Sequence, residues 1–383
     1  MAQNTVFAQV IKLIPRSEFE GFVNRCDGDK GIRNLDCWTW FGALLFGQLT
    51  GHDSIRAIER VFAHSDLKMQ KLGFGSVRRS TLADANSRRP LSVLEDTFQY
   101  LLTKAKRLAP KQKFDFPGQV LAIDSSTIEL CLSLCPWASY VCGAGAAKLH
   151  VGIDVANDLP EFCIVTNGRG HDLSIARKLT FKKGSTLVFD RGYAGLEWLN
   201  QLNQEEIFFV TRSRKKLFFK VAKSNASDRT QGIKCDQEIY VNGRGTKGKY
   251  KGKIRRISYH DPLTGNRLFF LTNRFDVDAK TICDLYKSRW QVELFFKTLK
   301  QNLRIKKFIG TSAHAVKAQI LVALIAYLLV QIWRYMLKTS ISMPSTMAAI
   351  GVLLLLKEPL ARLLGDLPRV TRHPPCLQMN FGI

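Results

Sequence analysis

Acidic residues are scarce in this chain: 32 Asp and Glu stand against 57 Lys and Arg in 383 residues, a formal charge of +25. With 46% hydrophobic and 10% aromatic residues, the chain has the material for a core, which excludes a disordered polyelectrolyte. A folded protein with this surplus points to a polyanionic partner, nucleic acid above all. Cysteine pairing signals are missing as well. The nine cysteines are an odd number without one Cys-x-x-Cys pair, so neither a disulfide framework nor a zinc-ribbon spacing is present. Cys131, Cys135, Cys142 and His150 are too widely spaced for a convincing zinc site. Reduced, mostly buried thiols in a cytoplasmic, nucleoid-associated protein are expected instead. Long apolar runs are absent too. The one membrane suspect, Ile320–Val330, has eleven apolar residues between two glutamines, too few to span a bilayer and better read as a buried core helix. The opening Met-Ala-Gln-Asn-Thr has no basic stretch leading into an apolar one, as an export signal would.

What is present changes character along the chain. Residues 1–112 read as a helical N-terminal DNA-binding domain, with apolar residues at helical spacing from Trp38 to Leu49 and a break at Gly51. A second helix starts near Ser54, and a basic one capped by Ser80 carries Arg78, Arg79, Arg88 and Arg89. Short helix, turn, basic helix suits a helix-turn-helix entering a major groove; it equally suits a solvated basic helix on a plain bundle. From Gly118 the pattern turns to short apolar runs. Val120–Ile123 ends in Asp124, Thr186–Phe189 leads into Asp190, and helices are interleaved near Leu173 and Leu196. This predicts a mixed sheet flanked by helices over 113–340, with a C-terminal helical region over 341–383.

Within that sheet region lies a β-rich basic insertion at about 212–275. Residues 212–256 alone hold 15 Lys and Arg against 3 acids. Interleaved Phe218, Phe219, Tyr240 and Tyr250 argue against a disordered loop and for a module lying on a phosphate backbone. A long helix is expected from about Asp278 to Lys306.

Asp124 and Asp190 at strand ends are, singly, ordinary turn or cap residues. If their strands are neighbours, the pair is half of a magnesium site, because Mg²⁺ prefers hard oxygen ligands. Asp154 and Asp172 also lie near strand ends and are read as supporting or turn residues. A third carboxylate, Glu293, falls on the helix. At about 100° per residue, Tyr286, Arg289, Glu293 and Lys300 share an arc of about 60°, with Lys297 one turn beyond Glu293. Trp290, Leu294 and Leu299 lie on the opposite side and are expected to pack on the sheet.

Tyr-x2-Arg-x3-Glu-x6-Lys resembles the signature of a group of DDE transposases from bacterial insertion sequences, and chance would give it in roughly 0.002 chains of this length. Asp-Arg-Gly-Tyr at Asp190–Tyr193 is similar to that family's second-aspartate motif, Asp124 in Ile-Asp-Ser-Ser-Thr to its first, and Arg79–Asn86 to a domain that precedes the catalytic one. The resemblance implies an α/β, RNase H-like catalytic domain. In it Asp124, Asp190 and Glu293 would hold two Mg²⁺ ions, with Mn²⁺ able to substitute, for cleavage and strand joining. Tyr286, Arg289, Lys297 and Lys300 would hold phosphates of double-stranded DNA, both transposon ends and target, in a homodimeric end-paired complex. Some relatives stack a flipped base on a Trp of the insertion. No Trp lies between Trp198 and Trp290 here, leaving Tyr250 or Tyr259 as substitutes. Two other readings fit the same features: a structure-directed nuclease that never joins strands, and a catalytically silent DNA-binding derivative.

Overall fold

The computed structural model describes residues 4–52, 54–110, 116–130, 145–168, 171–213, 217–243, 245–246, 248–262, 264–301 and 308–365. Helices come first: α1 (Val6–Ile11), α2 (Arg16–Arg25), α3 (Cys37–Thr50), α4 (Ile55–His64), α5 (Asp66–Gln70), α6 (Arg79–Arg88) and α7 (Ser92–Leu108). The α/β stretch follows with β1 (Val120–Leu130), β2 (Gly145–Asp154), β3 (Leu159–Asn167), α8 (Asp172–Ala176), β4 (Thr186–Phe189), α9 (Leu196–Gln204) and β5 (Phe208–Arg212). Next come β6 (Phe219–Asn225), β7 (Ile233–Val241), β8 (Ile254–His260) and β9 (Arg267–Thr272). Last are α10 (Ala279–Ser288), α11 (Trp290–Gln301), α12 (Ala313–Met336), α13 (Met343–Leu353) and α14 (Leu360–Gly365). Cys131, Cys135 and Cys142 lie outside the described residues.

Two compact units result. One gathers the N-terminal and C-terminal helices; the other holds the sheet with α8, α9 and α10.

In the helical unit α3 is buried almost all round, its start capped by Asp36, whose carboxylate accepts from the Thr39 N–H at 2.8 Å, and its end set by Gly51 at φ 71°. Aromatic rings fill the space around it: Phe7 meets Phe46 at 5.5 Å, and Trp38 stacks on Phe74 at 5.5 Å. Gly42 makes this packing possible, since a Cβ there would sit 2.2 Å from the Phe74 ring. α12 packs on α3 and α7. It is long and apolar enough to cross a membrane by length and composition, and the apolar window is 89% buried within the fold. Backbone hydrogen bonds from Val6 and Phe7 to the carbonyls of Leu356 and Leu354 tie α1 to the C-terminal segment.

The helix-turn-helix reading does not survive in this unit. α5 and an extended segment separate α4 from α6, where that motif needs a turn of about 3–4 residues. α6 starts at Arg79 behind Arg78, which makes no side-chain cap, rather than at Ser80.

Among the described residues the second unit holds one nine-stranded sheet, in the order β3-β2-β1-β4-β5-β9-β8-β7-β6. β1, β4 and β5 run parallel, and from β5 to β6 every pairing is antiparallel. The basic insertion therefore extends the same sheet, through β9 on β5. Not all of the insertion is strand: the run Lys249–Lys253 is a turn that buries Tyr250 against Phe209 at 6.4 Å. Leu121, Ile123, Leu187, Phe189, Trp198, Phe209 and Leu271 form the core beneath. Arg274, 3% exposed, lies between the rings of Phe116 and Phe208 at 4.4 and 4.3 Å and donates to Thr186 Oγ1 at 2.8 Å.

Candidate active site

Parallel pairing brings the two aspartates together. The register matches Val120 with Thr186 and ends at Ile123 with Phe189, so Asp124 and Asp190 are the next residues on adjacent strands. Neighbouring strands lie about 4.8 Å apart. β1 continues past Asp124 to Leu130, whereas β4 stops at Phe189. Asp124 is thus held inside a strand and Asp190 in a turn. Each is fixed by backbone: Asp124 Oδ1 accepts from the Ser125 N–H at 2.8 Å, and Asp190 Oδ1 from the Gly192 N–H at 2.7 Å. A Cβ at Gly192 would come within 2.9 Å of that Asp190 oxygen, which explains the glycine of Asp-Arg-Gly-Tyr.

The third acid arrives from a broken helix. α10 starts behind Asp278, whose carboxylate accepts from the Thr281 N–H at 2.8 Å, and packs Ile282, Cys283 and Leu285 on the sheet. The expected single helix divides at Arg289. Arg289 N–H bonds Tyr286 O at 3.2 Å and Val292 N–H bonds Arg289 O at 3.1 Å, a tightened 3₁₀-like turn. One consequence is that Leu294, expected to pack on the sheet, is 46% exposed. Another is the position of the arginine. Arg289 Nη1 lies 3.1 Å from Asp124 Oδ2 and Nη2 lies 2.5 Å from Glu293 Oε1. Tyr286 lies beside them, its ring 4.8 Å from that of Phe270 and 5.7 Å from the Arg289 guanidinium.

Electrostatics report the same convergence. Burial pushes the Asp124 carboxyl up to about 6; the Ser125 N–H and Arg289 oppose the rise, and the charges of Asp190 and Glu293 add to it. Three hard carboxylates without sulfur or imidazole suit Mg²⁺ or Mn²⁺ in kind. As placed, however, no three His, Cys, Asp or Glu among the described residues are grouped to hold a metal ion. The Arg289 guanidinium stands between two of the acids.

Residues 115–329, more than half of the chain, match the Transposase DDE domain. The chain belongs to the DDE transposase family. A Sinorhizobium fredii protein named as a transposase is 32% identical over 66% of this chain and 70% of its own length. A Geobacillus stearothermophilus protein named as the transposase of an insertion sequence element is 29% identical over 67% of each. The solved piggyBac transposase synaptic complex with hairpin DNA aligns at 12% identity with a TM-score of 0.44, over 97% of this chain and 84% of that one. Residues 2–75 match a domain of unknown function. The expected mixed α/β architecture, with helices before and after it in the chain, holds for this transposase.

Beside the acids the transposase carries a network that its sequence did not reveal. Asp172 Oδ1 accepts from Ser125 Oγ at 2.6 Å and Lys148 Nζ at 2.8 Å, with His150 Nδ1 at 3.5 Å. Asp172 thus anchors the residue whose N–H holds Asp124. The Tyr193 hydroxyl is buried without a hydrogen bond of good geometry, its ionisation pushed up first by burial and then by the charges of Asp172, Asp124 and Asp190. Asp154 is a turn residue: Oδ1 accepts from the Ala156 N–H at 2.9 Å. His150, 2% exposed, is held below the usual imidazole range, chiefly by burial. An unfolded imidazole takes its proton near pH ~6.5, while the buried one resists. Stability that is complete above that value is therefore lost as the pH falls below it. Urea midpoints measured from pH 7.5 down to 5 should fall for wild type and fall less for His150→Gln; parallel curves would contradict this.

Other sequence-predicted contacts divide by burial. Lys297 is exposed and Lys300 half-buried on α11. Arg78, just before α6, and Arg79 and Arg88 on it are exposed, Arg88 pairing with Asp84 at 3.0 Å. Arg89 is not a surface residue. It is 5% exposed and donates to the carbonyls of Gly28 and Leu35 and, at 2.9 Å, to Asp29, so it braces the helical unit and is not accessible to DNA. Tyr250 and Tyr259, 6% and 2% exposed, are packed inside and cannot stack on a base. Phe218, Tyr240 and Phe275 are the exposed aromatics of the insertion among the described residues, at 70%, 45% and 47%.

Proposed function

We propose that this transposase binds the ends of its insertion sequence, cleaves them with Asp124, Asp190 and Glu293 as ligands of two Mg²⁺ ions, and joins the freed 3′-hydroxyls to target DNA. The observation that carries this reading is the meeting of Asp124 and Glu293 on one guanidinium, with Asp124 and Asp190 directly following the paired residues Ile123 and Phe189. When bound, the ions would activate the attacking oxygen and stabilise the leaving one. The chain's own residues do the rest. Gly192 and Ser125 fix the carboxylate orientations through their N–H groups. Tyr286 and Arg289 supply a donor and a fork-shaped cation for the phosphodiester. Lys297, Lys300, Arg78, Arg79 and Arg88 are proposed as further phosphate contacts, in a dimer that pairs two ends. The test is a strand-transfer assay with end-containing DNA, a target plasmid and Mg²⁺: joined product is expected, and nicking without joining would favour a nuclease.

The outer strands of the sheet support DNA binding. Lys220 and Lys223 on β6 and Lys251 in the turn before β8 are exposed, as is Tyr240, which pairs with Lys220 across β6 and β7. Each lost phosphate contact flattens the log–log salt dependence by about 0.9. Replacing the three lysines by Gln should make the slope shallower by about 2–3 units at unchanged thermal stability. An unchanged slope would remove this face from the interface.

A further inference from the structure

We infer that Arg289 is a built-in counter-cation that occupies the acidic site of the free protein and exchanges places with divalent metal when a DNA phosphate draws it away. This rests on the reading of Asp124, Asp190 and Glu293 as metal ligands, and adds that metal and DNA bind cooperatively through one side chain.

The geometry is the first support. Arg289 spends its two terminal nitrogens on carboxylates from different elements, β1 and the start of α11, at 3.1 and 2.5 Å. The arrangement depends on the tightened turn at Arg289, which interrupts an otherwise continuous helix. Its Nε is buried with no acceptor. The guanidinium is thus held by the two acids and the Tyr286 ring, with one donor unsatisfied.

Charge is the second. Bringing carboxylates together without a cation is unfavourable, since like charges repel most strongly at short range, and Asp124 and Glu293 share one guanidinium. An arginine offsets that repulsion at every physiological pH, because a guanidinium does not lose its proton in proteins. For the same reason it cannot release the site by titration; it has to move. While it stays, a divalent ion would meet a like charge and two engaged ligands, consistent with the absence of a ready metal group among the described residues.

A phosphodiester is the natural competitor, since it presents paired oxygens to the fork and carries its own negative charge. Once Arg289 turns to DNA, Asp124 and Glu293 are exposed to the metal with their repulsion uncompensated, and metal affinity rises. Linkage makes this reciprocal: whatever factor DNA adds to metal affinity, metal adds to DNA affinity. A metal-loaded centre would then form mainly on DNA.

Mn²⁺ binding to the full-length protein, followed by loss of the free-ion electron paramagnetic resonance signal, tests the exchange without turnover. The DNA is a precleaved duplex of the element's own end, taken from the sequence flanking its gene. Wild type should bind Mn²⁺ about tenfold or more tighter with the duplex than without it. Arg289→Ala should bind it about tenfold tighter than wild type without DNA and gain little from the duplex. Arg289→Lys, which keeps the charge but lacks the planar fork that spans the two carboxylates, should fall between. Equal Mn²⁺ affinity for wild type and Arg289→Ala overturns the exchange and leaves the metal site standing. If Arg289→Ala does not fold, wild type decides alone, and an affinity indifferent to DNA overturns it. Binding unchanged by Asp124→Asn and Glu293→Gln overturns the metal site and the exchange with it.

Discussion

Asp124→Asn, Asp190→Asn and Glu293→Gln should each lower cleavage of end-containing DNA by on the order of a thousandfold or more, while DNA binding stays within a few-fold of wild type. The size follows from the chemistry. Metal ions contribute several kcal/mol of transition-state stabilisation, and each ~1.4 kcal/mol is a factor of ten in rate. The direction of the binding effect follows from charge, because neutralising an acid beside a phosphate removes repulsion. Gel-shift titrations and a cleavage time course on the same preparations check both halves. Each substitution is nearly isosteric, and the amide of Asp124→Asn would keep an oxygen for the Ser125 N–H that now bonds Asp124 at 2.8 Å. Glu293→Gln has a further signature. It weakens one of the two contacts that hold Arg289, at 2.5 Å, and should tighten DNA binding slightly by releasing the guanidinium. Near-wild-type cleavage in any of the three removes that residue from the catalytic set.

The largest stability effect is expected away from the acids, at Asp236. Arg255 donates to Asp236 through two bonds of 2.9 and 2.7 Å, and their side chains are 6% and 4% exposed. The same guanidinium also donates to the carbonyls of Arg274 at 3.2 Å and Val277 at 2.5 Å. It thereby ties β8 to the connection that launches α10, the helix carrying Tyr286. Asp236→Ala leaves a buried cation without its partner, a loss of about 3–5 kcal/mol. The urea midpoint should drop accordingly. Asp236→Leu combined with Arg255→Met should recover most of the loss, because an apolar pair of similar volume removes the uncompensated charge. A single-mutant change below about 0.5 kcal/mol, typical of surface sites, would contradict the account.

Much of this was legible in the sequence, for reasons that can be named. Apolar runs ending in Asp marked β1 and β4, because strands buried on both faces carry uninterrupted apolar residues. Four spaced side chains marked the helix that carries Glu293, because helical periodicity puts them on one side. Register was not legible. Nothing local says that Ile123 pairs with Phe189, since strand pairing depends on contacts distant in the chain. The break at Arg289 was hidden as well: residues 286–301 all suit a helix, and the turn is drawn tight where Arg289 reaches Asp124 and Glu293. Basic residues were the most deceptive. Arg89, Arg255 and Arg274 read like surface charge in composition but are 5%, 5% and 3% exposed, because a guanidinium with enough acceptors can be buried. Tyr250 and Tyr259 misled similarly; an aromatic in a basic stretch looks the same whether it faces DNA or the core.

The central claim is that Asp124, Asp190 and Glu293 form one metal centre. Its most direct test replaces Mg²⁺ with Fe²⁺ on the DNA-bound protein and generates hydroxyl radicals at the bound ion with ascorbate and peroxide. Radicals cut the backbone only within a few ångströms of their source, so the fragments map what surrounds the metal. Cuts clustered at residues near 124, 190 and 293 together, suppressed by excess Mg²⁺ and lost in Asp124→Asn, are the expected result. Fragments from one of these positions without the other two, or from elsewhere in the chain, would contradict it.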